Sequence, residues 1–176
     1  MKKIVTLGMF LVSLSLSAQT RLFPVIKNYG GIFEVSDAVE KPDPNLDYKI
    51  VVELVSGSDK ASELNSSLNN IARLINLHAI GGVAKEKLTV VVAIHGEASY
   101  SIMDNEAYQE KYKTPNPNLG LYKELQEAGV KMFICGQSLI GRSIDRTKIV
   151  PQVKIATSML TTLTTYQLKG YAVLKF

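Results

Sequence analysis

Tryptophan is absent from this chain, cysteine occurs once and histidine twice, and aromatic residues fill only 7% of its 176 positions. A single thiol excludes an internal disulfide framework, a Cys-x-x-Cys redox pair and a closed zinc site built on several thiolates. His78 and His95 are the only imidazoles, and no carboxylates stand at ligand spacing from them, so no metal site is expected. Gly30-Gly31 and Gly81-Gly82 are turn glycines outside any G-x-G-x-x-G context, so the sequence carries no dinucleotide fingerprint and no cofactor is expected. Charge of one sign is also scarce. The net +4 falls to about +2 once Lys2 and Lys3 are discounted, with acids and bases well mixed, which is no electrostatic footprint for nucleic acid.

What is there reads as one globular domain with trimmings, 46% hydrophobic and 20% charged, long enough to bury a core without staples. Residues 1–18 read as an export signal: Lys2-Lys3, the apolar stretch Ile4 to Leu14, then small residues to a cleavage point near Ala18. Leu16 is large for its place before that point. The apolar core is too short to span a bilayer, so the mature chain is expected to be periplasmic or secreted, without a membrane span. Residues 19–47 show no long periodicity and are broken by Gly30-Gly31 and Pro42-Asp43-Pro44-Asn45. They form an N-terminal extension, either draped on the domain or reaching out as an oligomer arm.

The domain spans residues 48–176. Tyr48 to Val55 and Leu88 to Ile94 are apolar runs of the kind that fill strands buried on both faces, and Val130 to Ile134 is a third. Leu64, Leu68, Ile71 and Ile75 recur at helical spacing, with Ser58 or Asp59 as the N-cap and Gly81 as the stop. Leu119, Tyr122 and Leu125 define another helix, capped by Asn118 and ended by Gly129. Val150 to Val153 reads as an edge strand because of Pro151. Between Ile155 and Lys169 the apolar spacing predicts helix while five threonines favour strand, and Gly170 as a C-cap tips the reading to helix. Tyr171 to Phe176 is the last strand. Strand and helix alternating in this order predict right-handed crossovers and a parallel sheet covered on both faces.

Chemistry gathers beyond the carboxyl ends of strands in such a sheet. Cys135 stands there, followed by Gly136, and the backbone of Gln137, Ser138 and Leu139 opens a helix that would favour the thiolate. Arg142 and Arg146 are near in sequence. His95, before Gly96, ends the neighbouring strand at the same address and would activate the thiol if the two strands are adjacent. The ordinary alternatives are a cysteine that is a small buried hydrophobe and a histidine bonded to a loop carbonyl. The excursion from Glu97 to Asn116, with Tyr100, Tyr108 and Tyr112, reads as a lid or partner-facing loop holding one short helix.

These residues resemble a known family. Ala128-Gly129-Val130, Phe133-Ile134-Cys135-Gly136-Gln137-Ser138, Val150-Pro151-Gln152-Val153 and Gly170-Tyr171-Ala172 are similar to the DsrE/DsrF-like (DsrEFH-like) family. Asp43 to Lys49, Ala72 to Leu77, His95-Gly96 and Asn116-Pro117-Asn118 look like its exported branch. The resemblance implies a three-layer α/β/α sandwich around a mostly parallel sheet of about five strands, assembled as an oligomer. In the family's sulfur-relay members, a cysteine matching Cys135 accepts and passes on sulfane sulfur as a persulfide. Those members work in the cytoplasm beside companion proteins, and here the chain departs from them.

Three readings follow. The first is an exported homo-oligomer that binds or transfers sulfane sulfur on Cys135. His95 tunes the thiol in this reading, Gly136, Gln137, Ser138, Leu139, Gly96, Asn116 and Arg142 line the site, and a donor or acceptor protein is the partner. The second is a non-catalytic ligand-binding or assembly module with a structural cysteine. The third is a redox or metal sensor using Cys135 and His95 across a subunit interface.

Overall fold

The apolar runs become strands of one parallel sheet. The computed structural model describes residues 19–176, so the expected export signal lies outside the described residues. Strands β1 (Tyr48–Leu54), β2 (Leu88–Ile94), β3 (Lys131–Cys135), β4 (Val153–Ala156) and β5 (Ala172–Lys175) pair in the order β4-β3-β2-β1-β5, every neighbour parallel. The helices are α1 (Ser66–Ile80), α2 (Asn105–Tyr112), α3 (Leu119–Glu127), α4 (Gly136–Gly141) and α5 (Met159–Leu168). None of the described helices is long and apolar enough to cross a membrane.

Alternation along the strands sorts side chains to two unequal faces. Val52, Leu54, Val92, Ile94, Met132 and Ile134 join Leu68 and Ile71 of α1 and Leu121, Tyr122 and Leu125 of α3 in the main core. On the other face Val51, Val91 and Ala93 meet Leu163 of α5, with Phe133, Met159, Tyr166 and Tyr171 packed around them. The layers are therefore α/β/α, and among the described residues the second helical layer is a single helix.

Connectivity then fixes where the sheet opens. The steps β1 to β2, β2 to β3 and β3 to β4 march toward one edge with their helices over the main core. After β4 the chain returns through α5, on the opposite face, to pair β5 with β1. Right-handed crossovers require that change of face when the direction reverses. The chain thus leaves β3 toward one face and β4 toward the other, which makes the crevice between their carboxyl ends the topological switch point.

Several local expectations are revised. The N-cap of α1 is Asn65, whose side chain accepts from the Leu68 N–H at 2.9 Å, rather than Ser58 or Asp59. Asn118 does precede α3, but its side chain accepts from the Asn65 N–H at 2.9 Å instead of capping its own helix. The edge strand starts at Val153, two residues past Pro151. The threonine-rich stretch is helical, and its hydroxyls fold back onto carbonyls of the preceding turn: Thr162 Oγ1 donates to Ser158 O at 2.9 Å and Thr164 Oγ1 to Leu160 O at 2.9 Å.

The extension is draped on the domain. Leu22 and Ile32 pair as an antiparallel bridge, and Ile26 and Ile32 are each only 2% exposed. Burying two such side chains stabilises the attachment by roughly 1.5–3 kcal/mol each. Its backbone is satisfied by Asn76 of α1, which is fully buried. Asn76 Oδ1 accepts from the Val25 and Ile26 N–H groups at 3.0 and 2.9 Å, and its Nδ2 donates to the carbonyls of Ile26, Tyr29 and Gly30.

Candidate functional site

Cys135 is the last residue of β3 and the N-cap of α4, and it pairs in register with Ala156, the last residue of β4. It therefore stands in the switch-point crevice. Cys135 as a residue is 6% exposed, much less open than its place at the sheet rim predicts. Its surroundings are polar, however. Burial pushes the thiol up; the Met159 N–H, the Ser138 hydroxyl and the N–H groups of Ser138 and Gln137 more than offset this, and the group lies below the ordinary cysteine value. Sγ does not cap α4 through a formal hydrogen bond, so these groups act as nearby dipoles aimed at the sulfur.

The arrangement follows from two helix starts meeting at one point. The Ser158 side chain caps α5 by accepting from the Leu160 N–H at 3.1 Å, which leaves the Met159 N–H turned toward Cys135. On the other side, α4 begins at once after the cysteine because Gly136 lets the chain pass β4. A Cβ there would stand 2.8 Å from the Ala156 carbonyl oxygen. The glycine serves this close approach of two backbones.

His95 follows β2 directly, and its N–H continues the ladder to Leu54 O at 3.0 Å. Because Ile94 pairs with Ile134, His95 falls beside Cys135 in register and on the same face. Its side-chain hydrogen bond, however, runs the other way: Nε2 lies 2.9 Å from Oε1 of Glu53 on β1. Glu53 in turn meets Lys175 Nζ of β5 at 3.3 Å. Cys135, His95, Glu53 and Lys175 thus line one face near the carboxyl end of the sheet. No hydrogen bond joins the imidazole to the thiol among the described residues.

The remaining expected site residues divide. Gln137 and Ser138 border the sulfur, while Leu139, 1% exposed, belongs to the main core. Gly96 has φ of 60°, and a Cβ there would meet Val55, so it shapes the turn after His95. Asn116 is buried away from the thiol, its Nδ2 donating to the carbonyls of Ser101 at 2.9 Å and Met103 at 2.7 Å. Arg142 Nη2 donates to Glu97 Oε1 at 3.2 Å, tying the end of α4 to the 3-10 segment Gly96–Ile102. A shallow groove of about 260 Å³, lined by Phe133, Ile155, Ala156, Thr162 and Tyr166 among others, runs beside the crevice between β4 and α5. Among the described residues no three of His, Cys, Asp and Glu group closely enough to hold a metal ion.

Sequence reasoning missed Met159, Ser158 and Glu53. Ser158 before a periodic apolar stretch is an N-cap signature that was available. So was Glu53, a lone charge inside the buried run Val51-Val52-Glu53-Leu54.

With this geometry in view, comparison with known proteins is informative. The model of the DsrE/DsrF-like family matches residues 49–176. A protein of unknown function from Methanobacterium thermoautotrophicum, MTH1491, superposes with a TM-score of 0.57 at 18% identity, covering 74% of this chain and 100% of its own. The ychN protein of E. coli gives a TM-score of 0.53 at 22% identity, covering 73% of this chain and 99% of its own. Both share the fold. No curated protein matches at a significant level.

Proposed function

This chain belongs to the DsrE/DsrF-like family, and on that premise we propose that it binds or transfers sulfane sulfur as a persulfide on Cys135. The observation that carries the reading is the set of amide and hydroxyl dipoles from α4 and α5 converging on the thiol at the switch point, which favours its anionic form. In the transfer step the Cys135 thiolate attacks the outer sulfur of a donor persulfide. An S–S bond forms to Cys135, the donor's own S–S bond breaks, and the donor sulfur leaves with the electron pair as a thiolate. No external oxidant or reductant is needed. One thiol suffices for a carrier, whereas a dithiol oxidoreductase needs a second. The same proposal includes a homo-oligomer, a donor or acceptor protein as partner, and export directed by residues 1–18.

The test is intact mass after exposure to polysulfide, followed by removal of excess reagent. An increment of sulfur-atom mass that dithiothreitol reverses and Cys135→Ser lacks is the expected result. No increment under any donor condition removes the reading. One observation favours the second reading, a structural cysteine in a binding module: Cys135 is a buried residue, 6% exposed. In that case Cys135→Ser folds normally and the wild-type thiol resists alkylation until the chain unfolds.

A further inference from the structure

A second concavity lies apart from the thiol, over the carboxyl end of β1 on the main-core side. It is a cleft of about 430 Å³ between the Ser56 to Ala61 segment and the excursion that follows β2. Tyr100, Tyr108 and Tyr112 wall it, and Asp59 and Glu97 stand at its lining. The three rings form one cluster, Tyr108 and Tyr112 with centroids 4.6 Å apart and Tyr100 edge-on to Tyr112 at 6.2 Å. The Tyr108 hydroxyl donates to Ala61 O at 2.8 Å, which fixes that wall.

The chain itself shows what these rings attract. The Lys111 ammonium lies 4.7 Å from the Tyr100 ring centroid and 5.3 Å from that of Tyr112, and among the described residues it has no carboxylate partner. Asp59 likewise has no cationic partner among them. Tyr112 is pushed up to about 12, chiefly by burial, with Tyr108, Tyr100 and Glu97 adding to it, so it stays a neutral ring in the cleft wall. Glu97 is shared with Arg142, so Asp59 is the cleft carboxylate without a counter-charge among the described residues, and aromatic faces beside such a carboxylate are a composition that recognises organic cations.

We propose that this cleft binds an organic ammonium group, carried by a free amine or by a lysine side chain, between the Tyr100 and Tyr112 rings and the Asp59 and Glu97 carboxylates. The site shares no lining residue with the Cys135 crevice and does not rest on the sulfur reading.

The experiment titrates the full-length protein with n-butylammonium, with butyrate as the charge-reversed probe, and with a short acetyl-lysyl peptide amide. With no tryptophan in the chain, tyrosine fluorescence reports binding directly. Butylammonium should give a saturable change and butyrate none. Asp59→Asn with Glu97→Gln should weaken binding at least about threefold, and Lys111→Met, which removes a like charge beside the rings, should tighten it about two- to fivefold. A peptide that binds more tightly than butylammonium identifies a protein lysine as the source, and equal binding identifies the free amine. Equal response to butyrate, no saturation by either cation, or weaker binding in Lys111→Met overturns the proposal.

Discussion

The N–H of Met159, the first residue of α5, faces the sulfur of Cys135, the last residue of β3. These residues are 24 positions apart in the chain. They meet because the helix that crosses the second face starts beside the strand that ends at the switch point. A buried thiol in hydrocarbon is inert; the same burial among oriented amides favours the anion.

Alkylation of Cys135 by iodoacetamide in the folded protein should therefore rise with pH around a midpoint below that of the urea-unfolded chain. The shift has a stability counterpart of definite sign. Because the folded value is depressed, the thiolate's contribution is fully present above the unfolded value, about 8.5, and is lost as pH falls through the folded one. Denaturation of wild type and Cys135→Ser across that window should show their difference growing with pH. A flat difference, with alkylation midpoints that coincide, would contradict the dipole account.

Ser138 and His95 separate two explanations of that midpoint. The Ser138 hydroxyl lowers the thiol, so Ser138→Ala should move the alkylation midpoint upward. The His95 ring is engaged by Glu53 at 2.9 Å, so His95→Asn should leave the midpoint in place. The reverse pattern would mean that imidazole, not helix amides, controls the thiol.

Gly136 and Gly141 bracket α4 and should respond oppositely to alanine. At Gly136 the new Cβ meets a backbone carbonyl at 2.8 Å, and neither strand nor helix start yields cheaply. Gly136→Ala should cost about 1–3 kcal/mol in urea unfolding. At Gly141 nothing lies within 4 Å, so Gly141→Ala should be neutral or stabilising by up to about 1 kcal/mol.

Asn76 is the fastening of the N-terminal extension. Asn76→Leu removes five hydrogen bonds and leaves buried backbone groups of residues 25–30 unpaired. Each such group costs about 1–3 kcal/mol, so destabilisation of at least about 3 kcal/mol is expected. Limited proteolysis should then cut within residues 19–47 before the domain itself unfolds. Cleavage at the wild-type rate would assign the attachment to Ile26 and Ile32 alone.

The order of elements was legible because parallel strands buried on both faces write themselves as unbroken apolar runs. Val90-Val91-Val92 and Ile50-Val51-Val52 admit no other reading in a chain this size. The place of Cys135 was legible too, since a strand followed by glycine and a helix start is a local pattern. Its covering was not. Burial of the thiol depends on α5 crossing the sheet from one edge to the other, and nothing near residue 135 encodes that path. The direction of His95 was hidden for a similar reason. Register sets it beside Cys135, but its hydrogen bond is decided by Glu53, a charge 42 residues earlier. Asn65, Asn76, Asn116 and Asn118 look like turn residues in sequence, whereas the fold buries all four as fasteners between segments.

The pairing of β5 with β1 sets the order in which the molecule can be finished. Ala172 settles against Ile50, so the second neighbour of β1 is made only after the other described strands of the sheet. Until then β1 presents a free edge, and α5 has only part of its platform. Vectorial synthesis can prepare the three strands β1 to β3, but closure waits on a contact more than a hundred residues long in sequence, which argues for slow, late and all-at-once consolidation.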